Sequence, residues 1–226
     1  MAEWLPFATQ LAGDERARFE THLKVFAWDK AWQGVAGQAI TDEIKVVVSG
    51  SAARLSRNLH LDVYDAIQSV VMYPSHYQHP DAADGSRPAE GVVLGQVNRL
   101  GSMVLSWDAV RHGIGNPFDG HDTALHELAH VLDLTDGVFD GTPRLAEPGD
   151  YRPWAQVFSR RFLQLVKRPH RGVLRRYGAT NEAEFFAVAT EAFFEKPRQM
   201  KKQAPDLYEE LAGFYQVDPE NPSRRG

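Results

Sequence analysis

Residues 126–130 read His-Glu-Leu-Ala-His. In a helix, residues four apart stand one turn apart on the same face, so His126 and His130 can aim an imidazole nitrogen each at one ion. Glu127 sits beside them, within reach of a water bound to that ion. Such a site would carry hydrolytic chemistry on one zinc per chain: the cation polarises a carbonyl and activates the water, and Glu127 takes the proton as general base. The bland alternative is a helix with two ordinary histidines and a solvated glutamate. The segment favours the site, because Leu125, Leu128 and Leu132 can bury the back of the helix, Ala129 is small, and Asp136-Gly137 is a reasonable stop with Gly at the C-cap.

A catalytic zinc usually takes three protein ligands and keeps one position for water. Two residues compete for the third place. Asp136 stands six positions after His130, but a ligand at that offset needs a sharp turn with Gly three residues after the second histidine, and Asp133 occupies that place. Glu191 lies in "NEAEFFAVATEAFFEKP" (181–197), a helix rich enough in Phe to be deeply packed, where a bare carboxylate would be costly to bury and a metal would satisfy it. Glu184 and Glu195 share its face. Glu184, three residues after Asn181, also fits a capping role; Glu195, near the helix end, reads as solvated. Asp133, one turn beyond His130, either supports a ligand histidine by a hydrogen bond or faces water.

The elements that must place these groups follow from pattern. Phe19, Leu23 and Phe26 mark a first helix with Asp14 as its cap, and Ile44, Val47, Val48, Ser51 and Leu55 mark a second behind Thr41, although Val46-Val47-Val48 also suits a strand. The Val-rich runs at 67–74, 91–97 and 101–107 read as strands, and 75–90 and 111–122 as loops. Helices return at 154–166, 181–195 and 206–216. The class is α+β, a small mixed sheet surrounded by helices. One domain is expected over 1–226: a helical part to about 62, strands and loops over about 63–121, the motif helix and C-terminal helices over about 122–216, and a polar tail at 217–226.

Composition narrows the function. The 226 residues carry a net charge of −5 with no basic run, which argues against a nucleic-acid partner. There are no cysteines, so disulfides, Cys-based zinc sites and thiol catalysis are excluded. No signal-like start and no run of about 18 apolar residues is present, so the expected location is the cytoplasm, away from membranes.

"HELAHVLD" together with "YGATNEAEFFAVATEAFFEKP", supported by "MVLSWDAV", "MYP" and "LAGFYQVDP", resembles the Mlc titration factor A family of bacterial zinc-dependent peptidases. The resemblance runs from about Asp14 to Pro219. It implies a zincin-like fold with an active-site helix carrying the histidines, zinc on His126, His130 and Glu191, and a gluzincin-type peptidase with aminopeptidase-like activity on small peptide substrates. It also implies a possible partner, a transcriptional repressor of the Mlc type, and hence the competing reading of a regulatory binding protein with a latent or structural zinc site. For a peptidase, an oxyanion donor is needed from outside the motif helix. Tyr177 is the first candidate, against the alternative of a packed flanking aromatic; His112 and His121 are weaker ones. Specificity is expected from 91–121, with substrate added along a sheet edge, and 75–90 or the C-terminal tail are segments that would be able to mask the site.

Overall fold

The computed structural model describes residues 4–75, the backbone of 95–98, and residues 101–220. The 75–90 loop, most of the 91–97 strand and the last six residues, on which several of the expectations fall, lie wholly or largely outside the described residues.

Helix α1 (Gly13–Asp29) buries Phe19, Leu23 and Phe26 as the spacing demands. Asp14 does not cap it; it lies inside the first turn, where its charge favours the helix dipole. Strand β1 (Ala31–Gly34) follows, a strand that the periodicity of this helical region did not announce. Helix α2 (Asp42–Ser56) is capped by the Thr41 side chain, which accepts from the Ile44 N–H, and Val46–48 are helical. Strands β2 (Ser69–Tyr73), β3 (Gly95–Asn98) and β4 (Ser102–Ser106) complete a mixed sheet in the order β1-β2-β4-β3. β1, β2 and β4 run parallel, and β3 pairs antiparallel to β4, so among the described strands β1 and β3 are the two edges.

Ser106 ends β4 and caps α3 (Trp107–Gly115) through its hydroxyl. The first five residues of the loop expected at 111–122 are therefore the end of a helix. Next come α4 (Thr123–Asp133), α5 (Tyr151–Lys167), α6 (Glu182–Glu195), α7 (Pro197–Gln203) and α8 (Pro205–Tyr215). Pro197 does stop α6, but it also starts α7, since proline is well suited to a first helical position.

Helix α4 is the centre of the molecule: every one of its residues is buried, and α2, α6 and the β3–β4 ribbon pack around it. Helix α6 is its main partner and brings Phe185, Phe186, Phe193 and Phe194 into the core. Each such ring removed from water contributes about 1.5–3 kcal/mol. The polar tail is not all loose: Val217 is buried and Asp218 accepts a hydrogen bond from the Tyr208 hydroxyl. Among the described residues no helix is long and apolar enough to cross a membrane.

Candidate metal centre

Asp122 starts α4 by accepting the Leu125 N–H at 3.0 Å. With the register so fixed, His126 and His130 stand one turn apart, their rings edge-on with centroids 4.7 Å apart. Their Nε2 atoms approach to 3.2 Å. Two imidazole nitrogens facing each other this closely in a buried site need something positive between them, either a proton or a cation.

The third group at this point is Glu184. Its Oε2 lies 3.0 Å from Nε2 of His126 and 3.4 Å from Nε2 of His130. His126, His130 and Glu184 are the one group of His and acidic side chains among the described residues whose ligand atoms converge well enough to hold a metal. Ligands at zinc distance on a tetrahedron stand about 3.3 Å apart. The separations of 3.0, 3.2 and 3.4 Å therefore suit such an ion, as does the donor set of two imidazoles and a carboxylate.

Glu191, the residue expected as third ligand, takes a different position. Its Oε1 is 2.8 Å from Nδ1 of His126, on the far side of the ring. It also receives Arg175 Nη2 at 2.5 Å, and its Oε2 accepts the Asp122 N–H at 2.8 Å. Arg175 in turn donates from Nε to the Gly120 carbonyl at 2.9 Å, tying the turn before α4 to the same carboxylate. The charge on this wholly buried glutamate is thus balanced by partners and not left bare. Both Glu184 and Glu191 come from one face of α6, two turns apart, so the reasoning that pointed to Glu191 applies equally to Glu184, for which a capping role was expected.

The remaining candidates sort clearly. Asp136 is exposed and accepts the Val138 N–H at 2.9 Å, part of the turn that ends α4 at Gly137. Asp133 meets neither of its two expectations: it is buried, not facing water, and its Oδ2 accepts the Gly141 N–H at 3.0 Å, while His130 Nδ1 and Asp133 Oδ1 are both without a partner among the described residues. Asn181 caps α6 through the Glu184 N–H, so the capping reading was half right: the backbone is capped while the side chain goes to the histidines. Glu195, expected in solvent, is buried, its Oε2 accepting the His121 N–H at 2.9 Å. Tyr177 is half exposed, its ring 5.8 Å from that of His126, and the charge of Glu184 acts on its hydroxyl. His112 is exposed and bonds Asn116, and His121 is held beside Glu195, neither belonging to the converging group. Phe139 lies on the other flank, its ring 4.9 Å from His130. Neither Arg175 nor Phe139 carried a sequence signal that tied it to the motif.

Electrostatics show what the site prefers. Burial would lower the pKa of His126, yet the charge of Glu191 and the hydrogen bonds of both carboxylates outweigh it and push the ring up to about 10. Burial would raise Glu184, but the hydrogen bond from His126 and the nearness of His130 hold it well below the usual carboxylate range. Glu191 is likewise kept low against its burial by His126 and then Arg175. Burial lowers His130. The site holds anionic carboxylates around a point where positive charge is stabilised, as a cation site must. Glu127, buried beside it, is raised by burial to about 7, which suits a group that takes up and returns a proton.

A buried helix that presents two histidines, met by a carboxylate from a second helix and set against a small mixed sheet, is an arrangement compatible with a metallopeptidase. The chain matches the family described as glucose-regulated metallo-peptidase M90 over residues 1–216, and it belongs to that family. It is 31% identical over 227 residues to the uncharacterized protein slr2042 of Synechocystis, a match covering 97% of this chain and 82% of the relative. It is 28% identical over 234 residues to Mlc titration factor A of Yersinia pestis, covering 97% of this chain and 86% of that protein. Mlc titration factor A of Edwardsiella ictaluri is 28% identical over 167 residues, or 69% of this chain and 62% of that protein.

Proposed function

We propose that the protein is a cytoplasmic zinc-dependent peptidase with a zincin-like catalytic fold, acting on peptide substrates and aminopeptidase-like on small ones. The observation that carries this reading is the convergence of His126, His130 and Glu184 with Glu127 beside them on the same buried helix. In this reading Glu184, not Glu191, is the third ligand, and Glu191 holds the Nδ1 proton of His126 and so fixes the ring that the metal needs. Zinc, when bound, supplies a Lewis acid and an acidified water.

The chain's own residues do the rest. Glu127 takes the proton from the attacking water and hands it to the leaving amine, a cycle that needs a carboxylate whose pKa sits near neutrality. Tyr177, its ring 5.8 Å from that of His126, is the donor to the developing oxyanion in this reading; its hydroxyl, raised to about 12 by burial and then by the charge of Glu184, stays protonated at neutral pH and can serve as donor. Arg175 neutralises Glu191 and anchors the turn at Gly120, which keeps α4 in register with α6. Strand β3, the sheet edge beside α4, is the place for an extended substrate to pair.

A second reading is favoured by the relatives named Mlc titration factor A: the chain binds and sequesters a transcriptional repressor. Glu127 supports the peptidase, because a site for binding or structure alone has no use for a buried carboxylate that is not a ligand. The test pairs elemental analysis with hydrolysis of chromogenic peptides by wild type and Glu127→Gln. One zinc per chain, with hydrolysis lost in the variant, is the expected result. Zinc without any variant-sensitive hydrolysis would leave the repressor-binding reading.

A further inference from the structure

On the side of α4 that carries Leu132, beside Thr135 of the turn that follows the helix, a cleft of about 1060 Å³ opens between residues 58–66, residues 144–154 and α8. None of His126, Glu127, His130, Glu184 or Tyr177 lines it, so it is separate from the metal centre. Its floor is apolar. Leu132, Leu145 and Trp154 are buried there, and the half-buried Phe214 lies with its ring 5.6 Å from that of Trp154.

Its lining is acidic. Asp62 and Asp65 come from one segment, Asp150 from the turn before α5, and Glu209 and Glu210 from α8, against Arg144 as the one lysine or arginine among the lining residues. No ion pair among the described residues engages Asp65, Asp150, Glu209 or Glu210, and Asp62 meets only the exposed His60, at 3.4 Å. Burial, and then the like charges of Asp150 and Asp206, raise the pKa of Glu210, as expected where negative charge is crowded. These carboxylates do not converge: the one metal-holding group among the described residues is elsewhere. They suit a row of separate positive charges, not a point cation.

We infer that this cleft docks a cationic, amphipathic segment of a partner protein. The partner's apolar side chains rest on Leu59, Val63, Pro153 and Phe214, apolar lining residues that are partly or fully exposed, and its lysines or arginines meet the carboxylates of the rim. Apolar anchors supply most of the affinity in such a site, while the acidic field selects the sign of the partner and speeds its arrival.

The test uses the full chain and three short fluorescein-labelled peptides followed by anisotropy: an amphipathic Leu/Lys peptide, its Leu/Glu counterpart, and a Ser/Lys peptide of the same charge. The Leu/Lys peptide binds at least roughly tenfold more tightly than either control, and raising salt to about 0.5 M weakens it about tenfold. The double variant Glu209→Lys, Glu210→Lys, and independently Asp65→Lys, weaken it by a similar factor while the unfolding midpoint stays put; these side chains lie at the surface or near it. The same affinities in Glu127→Gln protein separate docking from turnover, so the inference stands or falls apart from the peptidase reading. Equal binding of the Leu/Lys and Leu/Glu peptides, or indifference to both sets of variants, would overturn it. So would concentration-dependent self-association abolished by the same variants, which would make a second copy of the chain the occupant.

Discussion

Glu191 holds His126 by the ring nitrogen that faces away from His130, with Oε1 2.8 Å from Nδ1. This leaves Nε2 of His126 to Glu184 and His130, and it divides Glu184 and Glu191 between two tasks. Glu184→Ala should therefore remove zinc from the purified protein almost entirely. Glu191→Gln should keep the protein able to bind zinc but weaken it by about 10–100-fold, the usual effect of losing a partner that orients a ligand. Competitive titration with a zinc chelator of known affinity measures both. The reverse order would return Glu191 to the ligand set.

Chelation should lower thermal stability. An ion that binds the folded chain and not the unfolded one stabilises it by about 2.7 kcal/mol at a hundredfold excess over its dissociation constant. Calorimetry of the wild type with and without chelator should show a drop in the unfolding midpoint. The same treatment of Glu184→Ala should change little, and an equal drop in the two proteins would count against the metal centre.

Removal of the base should be felt in turnover and not in metal content. Glu127→Gln is expected to slow peptide hydrolysis by about 10²–10⁴-fold, the range for a positioned acid–base group. Zinc content should be unchanged, because Glu127 is outside the converging group. Full residual activity would sink the assignment.

Tyr177→Phe keeps the ring against His126 and removes the hydroxyl. If that hydroxyl stabilises the oxyanion, kcat falls by about 10²–10³-fold with little change in KM. The half-exposed position predicts little loss of stability. A changed KM at constant kcat would instead make Tyr177 a substrate-binding residue.

Glu195 sets a pH dependence of stability. Burial, and then the charge of Asp122, raise its carboxyl from 4.5 to about 8. Below about pH 4.5 both folded and unfolded chains hold this proton and the group is neutral to stability. Between pH 4.5 and 8 the unfolded chain loses it first, so unfolding releases a proton and stability falls as pH rises. Glu195→Gln cannot ionise. The midpoint of the variant should gain on the wild type steadily over this window, and a constant difference from pH 5 to pH 9 would contradict the assignment.

The local elements and the candidate residues were legible in the order of amino acids along the chain. Thr41 caps α2, Asn181 caps α6, and Gly137 takes the left-handed position after α4, because each depends on neighbours a few residues away. The spacing of His126 and His130 set their common face for the same reason, and Glu184, Glu191 and Glu195 fall on one face of α6 by their spacing. Which glutamate meets which partner depends on how the helices cross. Helix α6 crosses α4 so that Glu184 meets the Nε2 pair, Glu191 the back of His126, and Glu195 the backbone of His121. That division is a matter of where two helices cross and how far one is slid along the other, which is set by the packing of Phe185, Phe186 and Phe193 and not by spacing along either helix. Strand β1 escaped notice because a four-residue strand is held by its pairing to β2, a contact with residues nearly forty positions away that no local pattern records.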